Sequence, residues 1–194
     1  MPCEPIDVFD FDGTLIGINS FTEIGRRLVQ LLVQKKRLGT LAGVATRYAA
    51  RRFGLLRHLT FKRYIVRVFE RALTEREKEQ ICRTVFRENV NQTVYERMMQ
   101  TADCIISTAC PHAYISRMPL DSSVRVISSL MPGPGYPDPN NYGSGKIENI
   151  RHYFKGRNVK ITNFFTDDMT ADKPLAGLAE HVYIVTDGRV TQLK

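Results

Sequence analysis

Acidic residues are scarce through the middle of this chain. From Gly17 to Gln100 there are 7 Asp or Glu against 18 Lys or Arg, a net of +11, while the remainder is mildly acidic with 13 against 10. A field of that kind attracts phosphates, anionic lipid or nucleic acid, although a solvated, arginine-rich helical surface accounts for it equally well. Cysteine is sparse too. Cys3, Cys82, Cys104 and Cys110 are scattered with no Cys-x-x-Cys pair, which argues against a disulfide scaffold and fits a reduced, cytoplasmic protein. No apolar run approaches the ~20 residues that span a bilayer. The richest patch, Leu28 to Val33, is short and interrupted by Gln30. Met1-Pro2-Cys3-Glu4 has no basic head followed by an apolar block, so no secretory signal is expected. There is no internal repeat, zinc motif, helix-turn-helix or RNA-binding signature, which speaks against nucleic acid as the partner. The apolar share of 43% is ordinary and argues against disorder, and 194 residues suffice for one well-buried domain, with or without an inserted subdomain.

Against these absences stands Ile6-Asp7-Val8-Phe9-Asp10-Phe11-Asp12-Gly13-Thr14-Leu15. Val8 and Phe9 read as a buried strand, and Gly13 as the turn that ends it. Side chains alternate along a strand, so Asp10 and Asp12 leave its end on the same side. Two carboxylates held that close repel each other unless a cation lies between them. An oxygen-only donor set favours Mg²⁺. A helix-loop-helix calcium site is a poor alternative, because Thr14 and Leu15 stand where it needs Asp or Asn and then Gly. A pair of aspartates that merely caps the next helix is the other alternative.

The rest of the chain divides by rhythm. From about Ser20 to Thr101 the spacing predicts helices. Phe21, Ile24, Leu28, Leu31 and Leu32 share one face. Phe61, Ile65, Val68, Phe69 and Ala72 share another, with Lys62, Arg63 and Arg67 outward. Thr74-Glu75-Arg76-Glu77 reads as a capping box that opens a third helix, and Ile81, Val85, Val94 and Met98 continue helical spacing. Leu38 to Leu59 mixes apolar, aromatic and basic residues, and a helix is expected within it. After residue 101 strands and helices alternate: strands at Cys104–Ile106, Val124–Ile127, Val159–Phe165 and His181–Val185, helices from Pro111, over Ile147–Phe154 and over Pro174–Leu178, and a Pro- and Gly-rich loop from Met131 to Gly145. Such alternation predicts an α/β fold: a Rossmann-like parallel sheet core, residues 1–16 plus 102–194, interrupted by an all-helical subdomain, residues 17–101. Ligands bind at the carboxyl ends of strands in these sheets, where the first aspartate pair lies.

Three later features fall at predicted strand ends. Ser107-Thr108-Ala109-Cys110-Pro111 offers a hydroxyl and backbone N–H groups to a phosphate oxygen, or else an ordinary helix cap. Lys146, after Gly143-Ser144-Gly145, offers a cation for phosphate, or is simply surface. Thr166-Asp167-Asp168-Met169-Thr170-Ala171-Asp172 puts three acids within six residues, which is costly without a cation.

Order and chemistry together resemble the haloacid dehalogenase superfamily, over essentially the whole chain. Asp10-Phe11-Asp12-Gly13-Thr14-Leu15 is similar to its first motif, and Thr108 to its second-motif hydroxyl, with Ser107 as the other register. Lys146 resembles the third motif. Asp168 and Asp172, followed by Pro174-Leu175, resemble the fourth, with Asp167 in front. Met169 stands where the family often has serine or glycine. A helical insert between the first and second motifs resembles the cap of the phosphoserine-phosphatase-like branch. The resemblance implies a Mg²⁺-dependent phosphomonoester phosphatase. Asp10 would be the nucleophile and Asp12 the general acid and base. The metal would be held by Asp10, the backbone carbonyl of Asp12, and Asp168. Gly13, Thr14, Thr108, Ala109 and Lys146 would bind phosphate, with Asp172, Asp167 and Ser107 in support. The cap would set the substrate: a small phosphorylated compound, multiply anionic or lipid-linked, the latter with peripheral membrane contact through Leu38 to Leu59. The alternative for that stretch is that its apolar residues form the cap's own core. Transfer to an acceptor other than water, the role of the Met131–Gly145 loop and the oligomeric state stay open.

Overall fold

The computed structural model describes residues 4–132, 135–155 and 157–194; Cys3 of the cysteine tally and Gly133 and Pro134 of the expected loop lie outside them. Its centre is a mostly parallel six-stranded sheet in the order β3-β2-β1-β4-β5-β6. The strands are β1 (Glu4–Phe9), β2 (Cys104–Pro111), β3 (Arg125–Ser129), β4 (Val159–Thr166), β5 (His181–Thr186) and β6 (Arg189–Gln192). The first five run parallel, so their carboxyl ends share one edge, and β6 pairs antiparallel with β5. The α/β expectation therefore holds.

Five helices separate β1 from β2 along the chain: α1 (Ser20–Gln34), α2 (Leu38–Arg52), α3 (His58–Ala72), α4 (Glu75–Asn89) and α5 (Gln92–Met99). Thr74 accepts from the Glu77 backbone while the Glu77 carboxylate accepts from the Thr74 N–H, so the capping box forms as its spacing predicts. Ile24, Leu28 and Leu32 of α1 are buried, and so are Phe61, Ile65, Val68 and Phe69 of α3. These side chains share one apolar cluster with Phe9, Ile106, Phe165 and Val185 from the sheet. On the opposite face Val8, Ile105, Ile127 and Phe164 pack against Ile150 and Phe154 of α7 (Ser144–Tyr153) and its C-cap, and against Leu175 of α8 (Lys173–Ala176). Both faces are thus covered, which is what a parallel sheet requires. Phe9, Phe165 and Tyr183 stack across β1, β4 and β5 with ring centroids 4.4 and 4.6 Å apart. The Arg97 guanidinium of α5 lies over the last two rings.

Several expectations need correction. Lys62 does not face outward: it is 3% exposed and reaches the sheet, whereas Arg63 and Arg67 are exposed as expected. Ser107–Pro111 does not follow β2 but forms its last part, with the pairing register broken between Ser107 and Pro111. The helix expected from Pro111 is one turn, α6 (His112–Ile115), and α8 is equally short. The helix containing Lys146 begins at Ser144, so the preceding loop ends at Gly143. Strand β6 was not expected. Its signal is Asp187-Gly188, whose two positive φ values (48° and 78°) make the tight hairpin that such a pair favours.

Candidate active site

The loop that leaves β1 supplies two carboxylates. The Asp10 N–H donates to the Phe165 carbonyl at 2.9 Å, which extends the β1–β4 ladder one residue past the strand and fixes where the Asp10 side chain starts. Two residues on, the Asp12 carboxylate accepts from the Ser20 backbone N–H at 2.8 Å. Ser20 opens the 15-residue α1, so an unpaired N–H and the positive end of a helix dipole both face that carboxylate. The Gly13 φ of +76° turns the chain between them. The positive φ favours glycine, and a Cβ there would come within 2.0 Å of an Asp167 oxygen, so any other residue would also have to push that carboxylate aside.

Across the sheet edge, β4 ends in Thr166-Asp167-Asp168. The Asp168 carboxylate accepts from the Thr170 and Ala171 N–H groups at 2.9 and 3.0 Å, which folds the segment back. Its own N–H donates to Thr166 Oγ1. Thr166 Oγ1 donates to Asp172 Oδ2 at 2.8 Å. Lys146, from the first turn of α7, joins the two sides. Its ammonium lies 2.9 Å from Asp10 Oδ1, 2.8 Å from Asp172 Oδ1 and 2.9 Å from Asp172 Oδ2. The lysine is 3% exposed, and burial at that depth is tolerable for a cation only when it is paired in this way.

Asp10, Asp12, Gly13, Thr108, Ala109, Lys146, Asp167, Asp168 and Asp172 line one cavity of about 340 Å³. The expected residues from four separate stretches of sequence thus converge at the carboxyl ends of β1, β2 and β4. Two do not reach the cavity. Thr14 is buried and donates to Asp167 Oδ1 at 3.4 Å, and Ser107 is buried with its hydroxyl 3.3 Å from Asn141 Nδ2. Thr108 has the cavity position, in the bulge of β2, where its hydroxyl accepts from the Cys110 N–H at 3.0 Å.

Charge in this cavity is strongly unbalanced. Five carboxylates face one ammonium that bonds any of them. Burial pushes Asp10 up to about 7 despite Lys146, with Asp172 and Asp12 adding repulsion. Burial likewise pushes Asp12 up to about 6, held back by its Ser20 bonds and by the Lys62 charge. Asp167 is raised by burial and by its acidic neighbours. A hard divalent cation fits the all-oxygen donor set and would relieve this repulsion. Among the described residues no three His, Cys, Asp or Glu side chains converge as a cage. Mg²⁺ does not need one, since it keeps several waters and binds through one or two carboxylates.

Sequence reasoning missed four neighbours. Asn19 and Tyr142 line the cavity. Lys62 Nζ donates to the Ala109 carbonyl at 2.9 Å and to Asn140 Oδ1 at 2.6 Å, tying α3 to the β2 bulge and to the loop before α7. Asn141, fully buried at φ 48°, donates to the Thr108 and Ile127 carbonyls at 2.9 Å each and anchors that same loop to β2 and β3. Lys62 follows the buried Phe61 in a helix whose apolar face explains everything else, so no local signal marked it. Asn140-Asn141, a polar pair inside a Pro- and Gly-rich loop, carried a weak one.

A family model for haloacid dehalogenase-like hydrolases matches residues 8–177. The fold is similar to the crystal structure of a protein of unknown function from Bordetella pertussis Tohama I, with a TM-score of 0.65 and 18% identity, covering 91% of this chain and 87% of that one. At that identity the likeness speaks for the fold alone. No curated protein matches the chain.

Proposed function

Given that the chain belongs to the haloacid dehalogenase-like hydrolases, we propose that it is a Mg²⁺-dependent phosphomonoester phosphatase acting through an aspartyl-phosphate. The observation that carries this reading is the Lys146 ammonium held between Asp10 and Asp172 in a cavity otherwise lined by acids. A dianionic phosphate would not enter such a cavity without cations, and an ammonium placed on the attacking carboxylate supplies one of them.

Asp10 attacks phosphorus, an Asp10 oxygen–phosphorus bond forms, and the bond to the leaving oxygen breaks. Asp12, at about 6 and so partly protonated near neutral pH, gives its proton to that oxygen. The resulting carboxylate then takes a proton from the water that attacks the phosphorylated Asp10, and inorganic phosphate leaves. Lys146 and Thr108 hold the equatorial oxygens, and Asp172, itself fixed by Thr166, keeps Lys146 in place. Mg²⁺ would be held by Asp10, the Asp12 backbone carbonyl and Asp168, and would supply charge neutralisation as the phosphoryl group is transferred. Residues 17–101 act as the cap that sets the substrate, the role that their resemblance to the phosphoserine-phosphatase-like cap implies.

The test is release of phosphate from a panel of phosphomonoesters, lipid phosphates included, in Mg²⁺ and in EDTA. Turnover is expected in Mg²⁺ only, and Asp10→Asn should lower it by on the order of 10⁴-fold or more. An Asp10→Asn protein that still turns over would sink the mechanism.

A further inference from the structure

The basic segment carries an exposed feature that neither the core of the fold nor the catalytic cavity uses. Between Glu23 and Glu70 there is no acidic residue, while 12 Lys or Arg occur. Within it, α2 is thinly packed: of its 15 residues only Val44 is buried. The end of α2 and the turn that joins it to α3 read Arg51-Arg52-Phe53-Gly54-Leu55-Leu56-Arg57, the turn itself being Phe53 to Arg57. Phe53 is 80% exposed and Leu55 is 81% exposed, and all three arginines are exposed and form no ion pair among the described residues. Leu38 and Tyr48 of α2 are also mostly exposed. Along the inner side of the same helix runs an apolar groove of about 580 Å³, lined by Val29, Leu41, Val44, Tyr48, Phe61 and Ile65.

We propose that the α2–α3 turn, with the adjoining face of α2, docks the protein on an anionic lipid surface. Bulky apolar side chains at the tip of a turn flanked by arginines match the two halves of such a surface. Phe53 and Leu55 enter the headgroup and acyl boundary, while Arg51, Arg52 and Arg57 meet the negative headgroups. Val44, Leu41 and Leu56 of the segment join the apolar cluster, as the core alternative expects, but Leu38, Phe53 and Leu55 are left exposed and take no part in it. Two other occupants fit less well. A second copy would bring a patch of unrelieved positive charge against itself, since a two-fold interface pairs the same surface on both subunits. Nucleic acid would satisfy the arginines and stack on Phe53, but it offers nothing to Leu38 or Leu55. The inference is independent of the phosphatase reading.

Co-sedimentation of the full chain with phosphatidylcholine vesicles, with and without phosphatidylserine, tests it. Binding is expected only with phosphatidylserine, and it should fall steeply between roughly 50 mM and 500 mM salt as the Debye length shortens. Arg51→Glu with Arg52→Glu should weaken it by about tenfold or more. Phe53→Ser with Leu55→Ser should weaken it by a similar amount while leaving the melting temperature unchanged, because both side chains lie in water in the free protein. Failure of the wild-type chain to pellet with phosphatidylserine vesicles at low salt would overturn the proposal, and so would binding indifferent to the Phe53 and Leu55 changes. A concentration-dependent dimer that these changes dissolve would assign the face to a second copy instead. Phosphate release enters none of these readouts, so a failed docking experiment and a failed enzyme assay are separate results.

Discussion

Lys146 answers to two acids, and they need not be equal partners. Asp172 contacts it through both oxygens and is itself bonded by Thr166, whereas Asp10 contacts it through one. The ammonium therefore sits in a bracket built mainly from the end of β4, and it presents charge to Asp10 from there. Burial alone would lower an ammonium in this position, but the two carboxylates raise it above its ordinary value. Replacing Lys146 by Met keeps much of the volume and removes the charge, leaving Asp10 and Asp172 facing each other without a counter-ion. Breaking a buried pair from one side costs about 3–5 kcal/mol. Lys146→Met should therefore lose stability by that amount in denaturant titration, and Lys146→Met with Asp172→Asn should recover part of it. A single variant as stable as the parent would mean that the bracket is not under electrostatic load. Asp10 and Asp12 stood out in sequence because two acids beside an apolar run are expensive at residue scale. Lys146 stood out only by its place after Gly143-Ser144-Gly145 and in the order of motifs, since a lone lysine near a helix start reads as surface until its burial is known.

At the scale of elements, the long amphipathic helices were legible because each carries its own periodicity and, in α4, its own cap. The short ones were legible in place, from Pro111 and over Pro174–Leu178, but not in extent. Neither α6 nor α8 spans more than four residues, less than the repeat needed to show a face. The β2 bulge was hidden for a related reason: Ser107-Thr108-Ala109-Cys110-Pro111 reads as the close of a strand or the start of a helix, and only pairing with β3 decides between them. Lys62 shows how elements distant in sequence cooperate. Its helix α3 is fixed by the apolar cluster, and from that platform one ammonium spans to Ala109 in β2 and Asn140 before α7. Lys62→Met should cost about 1.5–3 kcal/mol through the loss of charge-assisted hydrogen bonds to half-buried acceptors. Because the Lys62 charge also restrains Asp12, the same change should move the acid-base limb of a pH–activity profile upward. A profile unmoved by a variant that is nonetheless destabilised would reduce Lys62 to a structural strut.

For the molecule as a whole, a parallel sheet brings to one edge residues that are 158 positions apart in the chain, Asp10 and Asp168, and the acidic cavity that results sets its response to pH. Asp10 and Asp12 have folded-state values of about 7 and about 6, above the ordinary carboxylate value, so the folded chain binds their protons more tightly than the unfolded one. Their contribution to stability is fully present below pH about 4 and is lost as the pH rises through about 6 and about 7. Glu23 and Glu77, held down to about 2 by their basic partners, behave oppositely, but their contribution is lost only as the pH falls below about 4. His58 and His112, lowered by burial, also oppose the aspartates, at the acid end of the neutral range. The clean measurement is therefore a comparison with Asp10→Asn and Asp12→Asn. In EDTA the melting temperature of the parent should fall relative to either variant between pH about 5 and about 8. Mg²⁺ binds ionised carboxylates, so the rise in melting temperature that it produces should grow over the same interval and be reduced in Asp10→Asn. An equal rise at both ends, or none, would mean that these aspartates do not hold the ion, and the proposed attack by Asp10 would then need Lys146 as its principal counter-charge.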